Sequence, residues 1–289
     1  MNYCTSSLAS LFFISLSVMA FSEEDVNVSF DTDIENNMAA MRRGEPIRII
    51  EIPSDANVTP DSLQLLENYK QDPSRNVREA ALTTFYEIGI NSRDIDIRQR
   101  TVDNLVEGIF DSSTLVREHI SKLLQEFSQE DFSLGTKERL MTAIRTKSDY
   151  NVILAVGLAN IQEALPILAE IRTSEVERIE QLMARQKAGS GLYKTRWDVS
   201  ALYRGSLLAS GRMGEINSIE EYIHRVENLK ELSTRLYFIN LLQYVRQPEV
   251  IEFLLKYLNS NEYYGGEGDV VKALVAVDIA KMLVNMIDG

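Results

Sequence analysis

The apolar residues from residue 59 onward recur at the spacing of α-helices. In one stretch they fall at Val77, Ala81, Phe85 and Ile88, which places them along one helical face. The segment Thr59–Ser62 provides a helix start, with a hydroxyl N-cap, a proline at the first helical position and an acid in the first turn. The pattern therefore predicts an all-α region over residues 59–288.

One part of this helical pattern occurs twice. Asp72 followed by Val77-Arg78 returns thirty-nine residues later as Asp111 followed by Val116-Arg117. Ile97-Arg98 lies midway between them, so the half period is one helix plus a turn. Stacked helical hairpins have repeats of about this length, because a single hairpin leaves its apolar face uncovered. We therefore predict five to six helical pairs.

Later turns continue the pattern with a different signature. Leu165, Ile219 and Ile251 occupy equivalent positions in LANIQEALPIL, GRMGEINSIEEYI and YVRQPEVIEFLLKYL. The interval from 165 to 219 is longer than that from 219 to 251 by about half a repeat. This difference predicts an insertion at about residues 173–197.

These motifs resemble the HEAT repeat family and its shorter HEAT-like form, first noted in phycobilisome lyases. The likeness rests on the two Asp-to-Val-Arg segments, on Leu158-Ala159 with Glu163–Pro166, and on Gly211–Gly214 before Ser218-Ile219. The resemblance implies a right-handed α-α superhelix, the solenoid of HEAT and armadillo proteins.

In that family the Asp and Arg residues join adjacent repeats in a ladder of hydrogen bonds. The resemblance therefore implies a structural role for five residues here: Asp72, Arg78, Arg98, Asp111 and Arg117. The third unit departs from the pattern, with Lys147 where Asp is expected and Ile153 in the Arg position.

The amino terminus differs from the repeats. The uncharged run Leu8–Phe21 and the small residues near Ala20 predict a signal peptide over residues 1–20, with a membrane anchor as the alternative. Residues 21–58 are predicted to be an acidic, flexible leader with a short extended segment around Ile47–Ile50. We expect a secreted or periplasmic protein.

Composition narrows the possible functions. The net charge of -13 and pI near 4.8 argue against nucleic-acid binding, which requires concentrated Lys and Arg. Cys4 is the only cysteine and lies within the predicted signal peptide, so disulfides and thiolate metal sites are not expected. Glu220, His224 and Glu227 share one helical face and are weak metal-ligand candidates; a solvated face with salt links is the favoured interpretation. We expect no catalytic residues and no cofactor.

The inserted segment Gln181–Trp197 has basic residues without an acid and contains the only tryptophan. Arginine and aromatic residues anchor many interfaces, and loops inserted into rigid scaffolds often bind. The alternative is an ordinary exposed loop. The predicted partner-binding residues are Arg185, Lys187, Tyr193, Lys194, Arg196 and Trp197.

Two classes of function follow. The first is an exported, non-enzymatic scaffold or adaptor that binds a protein or peptide in its concave groove or at the basic insertion. The alternative is a HEAT-like enzyme or enzyme helper, either a chromophore lyase or a metal-dependent activity. A bound pigment or metal in the purified protein would distinguish the second class from the first.

The insertion hypothesis predicts that replacing Arg185, Tyr193, Arg196 and Trp197 together with alanine abolishes partner capture without lowering Tm. Surface residues of a loop contribute to binding and little to folding. Pull-down with crosslinking from the native envelope fraction, together with thermal unfolding, measures both effects. An unchanged set of captured partners would contradict the hypothesis.

Overall fold

The computed structural model describes residues 30–45, 59–185, 200–229, 232–259, 276–277, 279–284 and 286. These residues form helices and turns without any strand, which confirms the all-α prediction. Within them, no helix is both long enough and apolar enough to cross a membrane.

Twelve α-helices are fully bounded in this part of the chain. They are α1 (Phe30–Arg42), α2 (Pro60–Tyr69), α3 (Arg75–Asn91), α4 (Ile95–Gly108), α5 (Thr114–Leu123), α6 (Leu134–Thr146), α7 (Tyr150–Leu158), α8 (Leu165–Arg185), α9 (Ala201–Arg212), α10 (Ile216–Glu227), α11 (Leu232–Leu241) and α12 (Pro248–Asn259). Short 3-10 turns follow at 124–126, 129–131, 162–164 and 242–244, and residues 276–277, 279–284 and 286 are also helical.

Alternate helices contact one another in sequence. Helix α1 packs on α3, α3 on α5, α5 on α7, and α7 on α9. Helices α2, α4, α6, α8 and α10 each pack on a neighbouring member of that row. Val77, Ala81, Phe85 and Ile88, which the periodicity placed on one face, are buried in these contacts. The matching residues thirty-nine positions later, Val116, Ile120, Leu124 and Phe127, are buried as well. One apolar core extends from Ile34 to Met286.

Helix α1 lies in the segment that the acidic composition predicts to be a flexible leader, so that prediction is wrong for residues 30–42. Ile34 and Met38 are fully buried, one turn apart, and α1 packs on α2 and α3. Two of its three acids, Asp31 and Asp33, lie in the first turn, where the helix dipole favours negative charge. Asp31 also accepts a hydrogen bond from Ser62 at the start of α2.

Other predicted segments lie partly or wholly outside the described residues. The predicted signal peptide and the extended segment around residues 47–50 are outside them. The predicted insertion begins inside helix α8, which continues to Arg185, and residues 186–199 are again outside.

Helices α7 and α9 approach closely at Gly157. A Cβ atom added there would lie 2.8 Å from the Ala209 Cα atom, inside van der Waals contact, and would also meet the Tyr244 hydroxyl. Glycine at this position therefore lets two members of the helical row pack backbone to backbone.

We expect Gly157→Ala to lower the free energy of unfolding by about 1–3 kcal/mol, because the added methyl group forces packed helices apart. Urea denaturation measures this loss. Gly135→Ala is the matched control, since its Cβ would have only Ser133 Oγ nearby, at 3.9 Å. That change should be neutral or stabilise the protein by up to about 1 kcal/mol. Equal stabilities for the two variants would contradict the packing argument.

Candidate functional site

Charged residues link successive helices at the turns. Arg78 in α3 donates two hydrogen bonds to the Asp111 carboxylate, from Nε at 2.7 Å and from Nη2 at 2.9 Å. Its Nη1 donates to the Asp72 backbone carbonyl at 3.0 Å. Arg78 thus joins the turn before its own helix to the turn before α5. Both side chains are largely buried, at 13% and 8% exposed.

Two further rungs have the same form. Arg42 in α1 donates from Nε to Asp72 at 2.9 Å. Arg98 in α4 donates to Asp131 from Nε at 2.8 Å and from Nη2 at 2.6 Å. The motif comparison did not identify Arg42 or Asp131. Arg78 and Asp111 are 33 residues apart, and so are Arg98 and Asp131. Applying this separation to Arg98 would have identified Asp131 from the sequence.

The ladder carboxylates are held in their charged form. The hydrogen bond from Arg78 lowers the pKa of Asp111, and this outweighs the opposing effect of burial. Burial acts to raise the pKa of Asp72 and of Asp131, but the guanidinium and backbone N–H donors around each carboxylate hold its pKa below the usual value. The rungs therefore contribute stability as ion pairs.

The ladder changes at Arg117. Its Nη1 donates to the Asp111 carbonyl at 2.7 Å, as Arg78 does to Asp72, and its Nη2 donates to Thr114 Oγ1 at 3.0 Å. Its buried Nε has no hydrogen-bond partner in the described part of the chain. The edge that in Arg78 binds a carboxylate is thus incompletely satisfied in Arg117.

Lys147 lies where the next acid would be. Asp72 and Asp111 each come three residues before the helix that follows, and the third residue before α7 is Lys147. Arg117 and Lys147 line a cavity of about 480 Å³, which we term the Arg117 cavity; Asp111, already bound to Arg78, and Asp149 line it as well. Neither cation forms an ion pair with any described acid. Two unpaired cations at one vacant rung make this cavity a candidate anion site.

Phe110 provides an apolar element next to these cations. Its side chain is 46% exposed and lines the Arg117 cavity. It also lines a second cavity of about 540 Å³, which includes Lys70, Asp72 and Arg78. Phe110 therefore lies between two cavities at successive turns of the ladder.

The other predicted site residues are not brought together in this way. Among the described residues, no group of three or more His, Cys, Asp or Glu side chains is arranged to hold a metal ion, and this includes Glu220, His224 and Glu227. His224 lies 3.4 Å from the Asn228 side-chain nitrogen, and Glu227 lies 3.8 Å from Lys256 Nζ.

The predicted partner-binding segment is largely outside the described residues. Arg185 is the last residue of α8, and Lys187, Tyr193, Lys194, Arg196 and Trp197 all fall within 186–199. The partner-binding role of this segment stays a prediction.

Comparison with known proteins leaves the family open. No protein-family model matches the chain, and no curated protein is significantly similar to it.

We expect Asp111→Asn to lower the free energy of unfolding by about 3 kcal/mol at pH 7, because it leaves Arg78 without its counter-charge. The depressed native pKa of Asp111 means that its contribution is present above the unfolded pKa, about 3.9, and is lost as the pH falls through the native value. Urea denaturation at pH 7, 4 and 3 should therefore show that the difference in free energy of unfolding between wild type and variant becomes smaller as the pH falls.

The control for this series is Asp61→Asn, which removes an exposed acid from the first turn of α2. It should change stability little at any of the three pH values. If the difference in free energy of unfolding between wild type and Asp111→Asn stays constant down to pH 3, the rung does not act as an ion pair.

Proposed function

We propose that this protein is an exported, non-enzymatic scaffold of the HEAT-like type, whose helical pairs form a right-handed α-α superhelix that binds a protein or peptide partner. The contacts between alternate helices and the Arg-to-Asp rungs between successive turns support this architecture. The observation that carries the binding role is the vacant rung between Arg117 and Lys147.

The chemistry of the vacant rung favours a carboxylate. In the neighbouring rung, the Nε and Nη2 atoms of Arg78 both point to the two oxygens of Asp111. Arg117 offers its Nε in the corresponding place, and a buried donor without a partner costs about 1–3 kcal/mol. A carboxylate from a bound partner would remove that cost and would pair with Lys147 at the same time.

The surroundings restrict the partner further. Phe110 presents an exposed aromatic face beside the cations, and aromatic residues often act as interface anchors. The protein as a whole carries a charge of -13, which disfavours a uniformly acidic partner. The best match is a neutral or basic segment that carries one isolated acidic residue next to an apolar one.

Such a partner would dock where the repeat departs from its own pattern. The intact rungs at Asp72, Asp111 and Asp131 already contain their carboxylates, so they offer no comparable vacancy. The binding segment would supply the acid that the third unit lacks. Because Arg117 Nε is itself buried, the partner's acid would reach it only after neighbouring side chains shift.

We expect Lys147→Asp to fill the vacant rung from within the chain. The new carboxylate should pair with Arg117 and raise the free energy of unfolding by about 1 kcal/mol, while it displaces the partner's acid. Chemical crosslinking and pull-down from the native envelope fraction, with urea denaturation in parallel, measures both effects. Partner capture should fall sharply although the protein becomes more stable.

The matched control is Lys137→Asp, which makes the same change in charge on helix α6 at a position that does not line the cavity. Its partner capture should equal that of the wild type. Equal capture by Lys147→Asp and wild type would contradict the proposed site, and a bound metal or pigment in the purified protein would contradict the non-enzymatic assignment.

A further inference from the structure

Three turns of the repeat share a residue in the left-handed backbone conformation. It is the fifth residue before each of the equivalent positions Leu165, Ile219 and Ile251. The three residues are Asn160 with φ of 52°, Gly214 with φ of 92° and Arg246 with φ of 52°. In the first two of these turns, the backbone N–H of the next residue donates to the carbonyl five residues before it: Ile161 donates to Val156, and Glu215 donates to Ser210. This hydrogen bond caps the end of the preceding helix.

Arg246 is the unusual member of this set. Glycine and asparagine are the residues that commonly adopt the left-handed conformation at helix ends, whereas arginine adopts it at a cost in free energy. The turn geometry would be satisfied by glycine, as the equivalent Gly214 demonstrates. The arginine side chain is therefore what needs explanation.

The Arg246 side chain lies at a cavity of about 500 Å³, which we term the Arg246 cavity. Five segments line it: α4 through Arg98, the turn after α5, the ends of α7 and α9, and the turn before α12. Hydrogen bonds join these segments to one another. Asn160 donates to Gln129 Oε1 at 2.6 Å, and Gln247 donates to the Arg212 carbonyl at 3.1 Å.

Two arginines in this cavity have no acidic partner. Arg212 donates to the Tyr244 carbonyl at 3.1 Å, and Arg246 makes a long bond of 3.4 Å to the Gln125 carbonyl. Neither forms an ion pair within the described residues. Burial lowers the pKa of Arg212; Tyr244 opposes this shift, and the nearby charge of Arg246 adds to it. The two guanidinium groups thus lie close enough to repel.

The acids that line the cavity are placed differently. Glu126 and Glu130 are exposed, whereas Arg212 and Arg246 are partly buried. A third lining arginine, Arg98, is already bound to Asp131. The arrangement offers partly buried positive charge for an anion and exposed negative charge for a cation. A doubly charged anion such as phosphate would meet repulsion from the two glutamates.

We propose that the Arg246 cavity binds a zwitterionic carboxylate ligand of the size of an α-amino acid. Its carboxylate would lie between Arg212 and Arg246, since the guanidinium fork matches a carboxylate with two parallel hydrogen bonds. Its ammonium group would face Glu126 and Glu130. A cavity of this volume is within the range of small-molecule sites. This site involves none of the residues of the vacant rung, so its test is independent of the test of the scaffold function.

The decisive variant is Arg246→Gly, because glycine keeps the left-handed turn and removes only the side chain. Without ligand, its Tm should equal or exceed that of wild type, since the backbone cost is relieved. Titration calorimetry with an equimolar mixture of L-amino acids should show binding to wild type and an affinity about tenfold or more weaker for the variant. Arg145→Gln, which removes an exposed charge outside the cavity, should bind like wild type.

Acetate and inorganic phosphate at the same ionic strength serve as comparison probes. Acetate should bind more weakly than the amino acids because it lacks the ammonium group, and phosphate should not bind. Absence of amino-acid binding to wild type, or equal binding to Arg246→Gly, would overturn the proposal. So would phosphate or acetate binding as tightly as the amino acids. A Tm for ligand-free Arg246→Gly that is several degrees lower would assign Arg246 a structural role instead.

Discussion

The structure depends on one constraint, which is that each helix pair has an apolar face that only the next pair covers. The face from Val77 to Ile88 in α3 and that from Val116 to Phe127 in and after α5 are buried in this way, and the core continues through to Met286. Since no single pair can bury its own apolar face, stability is shared between neighbours along the row. The close approach of Gly157 to Ala209 is a consequence, because it brings two helices of the row into backbone contact.

The polar contacts between neighbours follow from the same stacking. An arginine at the turn of one unit reaches the aspartate at the turn of the next, and partial burial makes the pair costly to break. Where Lys147 replaces the aspartate, a different polar contact joins α5 to α7. Ser121 donates to Asn151 Oδ1 at 2.9 Å, and both residues are buried. The stack therefore continues past the vacant rung, where Arg117 still donates to the Asp111 carbonyl but forms no ion pair with a described acid.

The sequence predicted best the features that repeat. Helical class and the buried faces of α3 and α5 follow from spacing alone, because packing dictates that spacing. The position of Lys147 in the ladder follows from the resemblance to HEAT repeats. Helix α1 was not predicted because its first turn is acidic and its apolar face is short. Ile34 and Met38 indicate a buried face only once α3 is known to pack against them. Asp131 was not predicted because its partner, Arg98, lies in α4, and the Asp-to-Val-Arg motif does not recur there.

Neither cavity was predicted, for a related physical reason. Each depends on groups that come together from segments separated in sequence, such as the Arg246 side chain and the Gln125 backbone carbonyl. The sequence alignment of the later turns nonetheless contained the relevant anomaly. Once Leu165, Ile219 and Ile251 are matched, Arg246 aligns with a glycine and an asparagine, and its left-handed φ gives that mismatch a physical meaning.

Both proposed sites lie where one repeat departs from its neighbours. Local preferences, packing and charge agree along most of the chain, and such agreement specifies a fold without specifying a ligand. At Lys147 a cation replaces the acid that would complete a rung, and at Arg246 an arginine replaces the residue that the turn prefers. Each departure leaves positive charge beside a cavity in a protein of net charge -13. Positive charge that no acid of the described residues pairs with, placed in a concave position, is the physical basis for expecting a carboxylate at both sites.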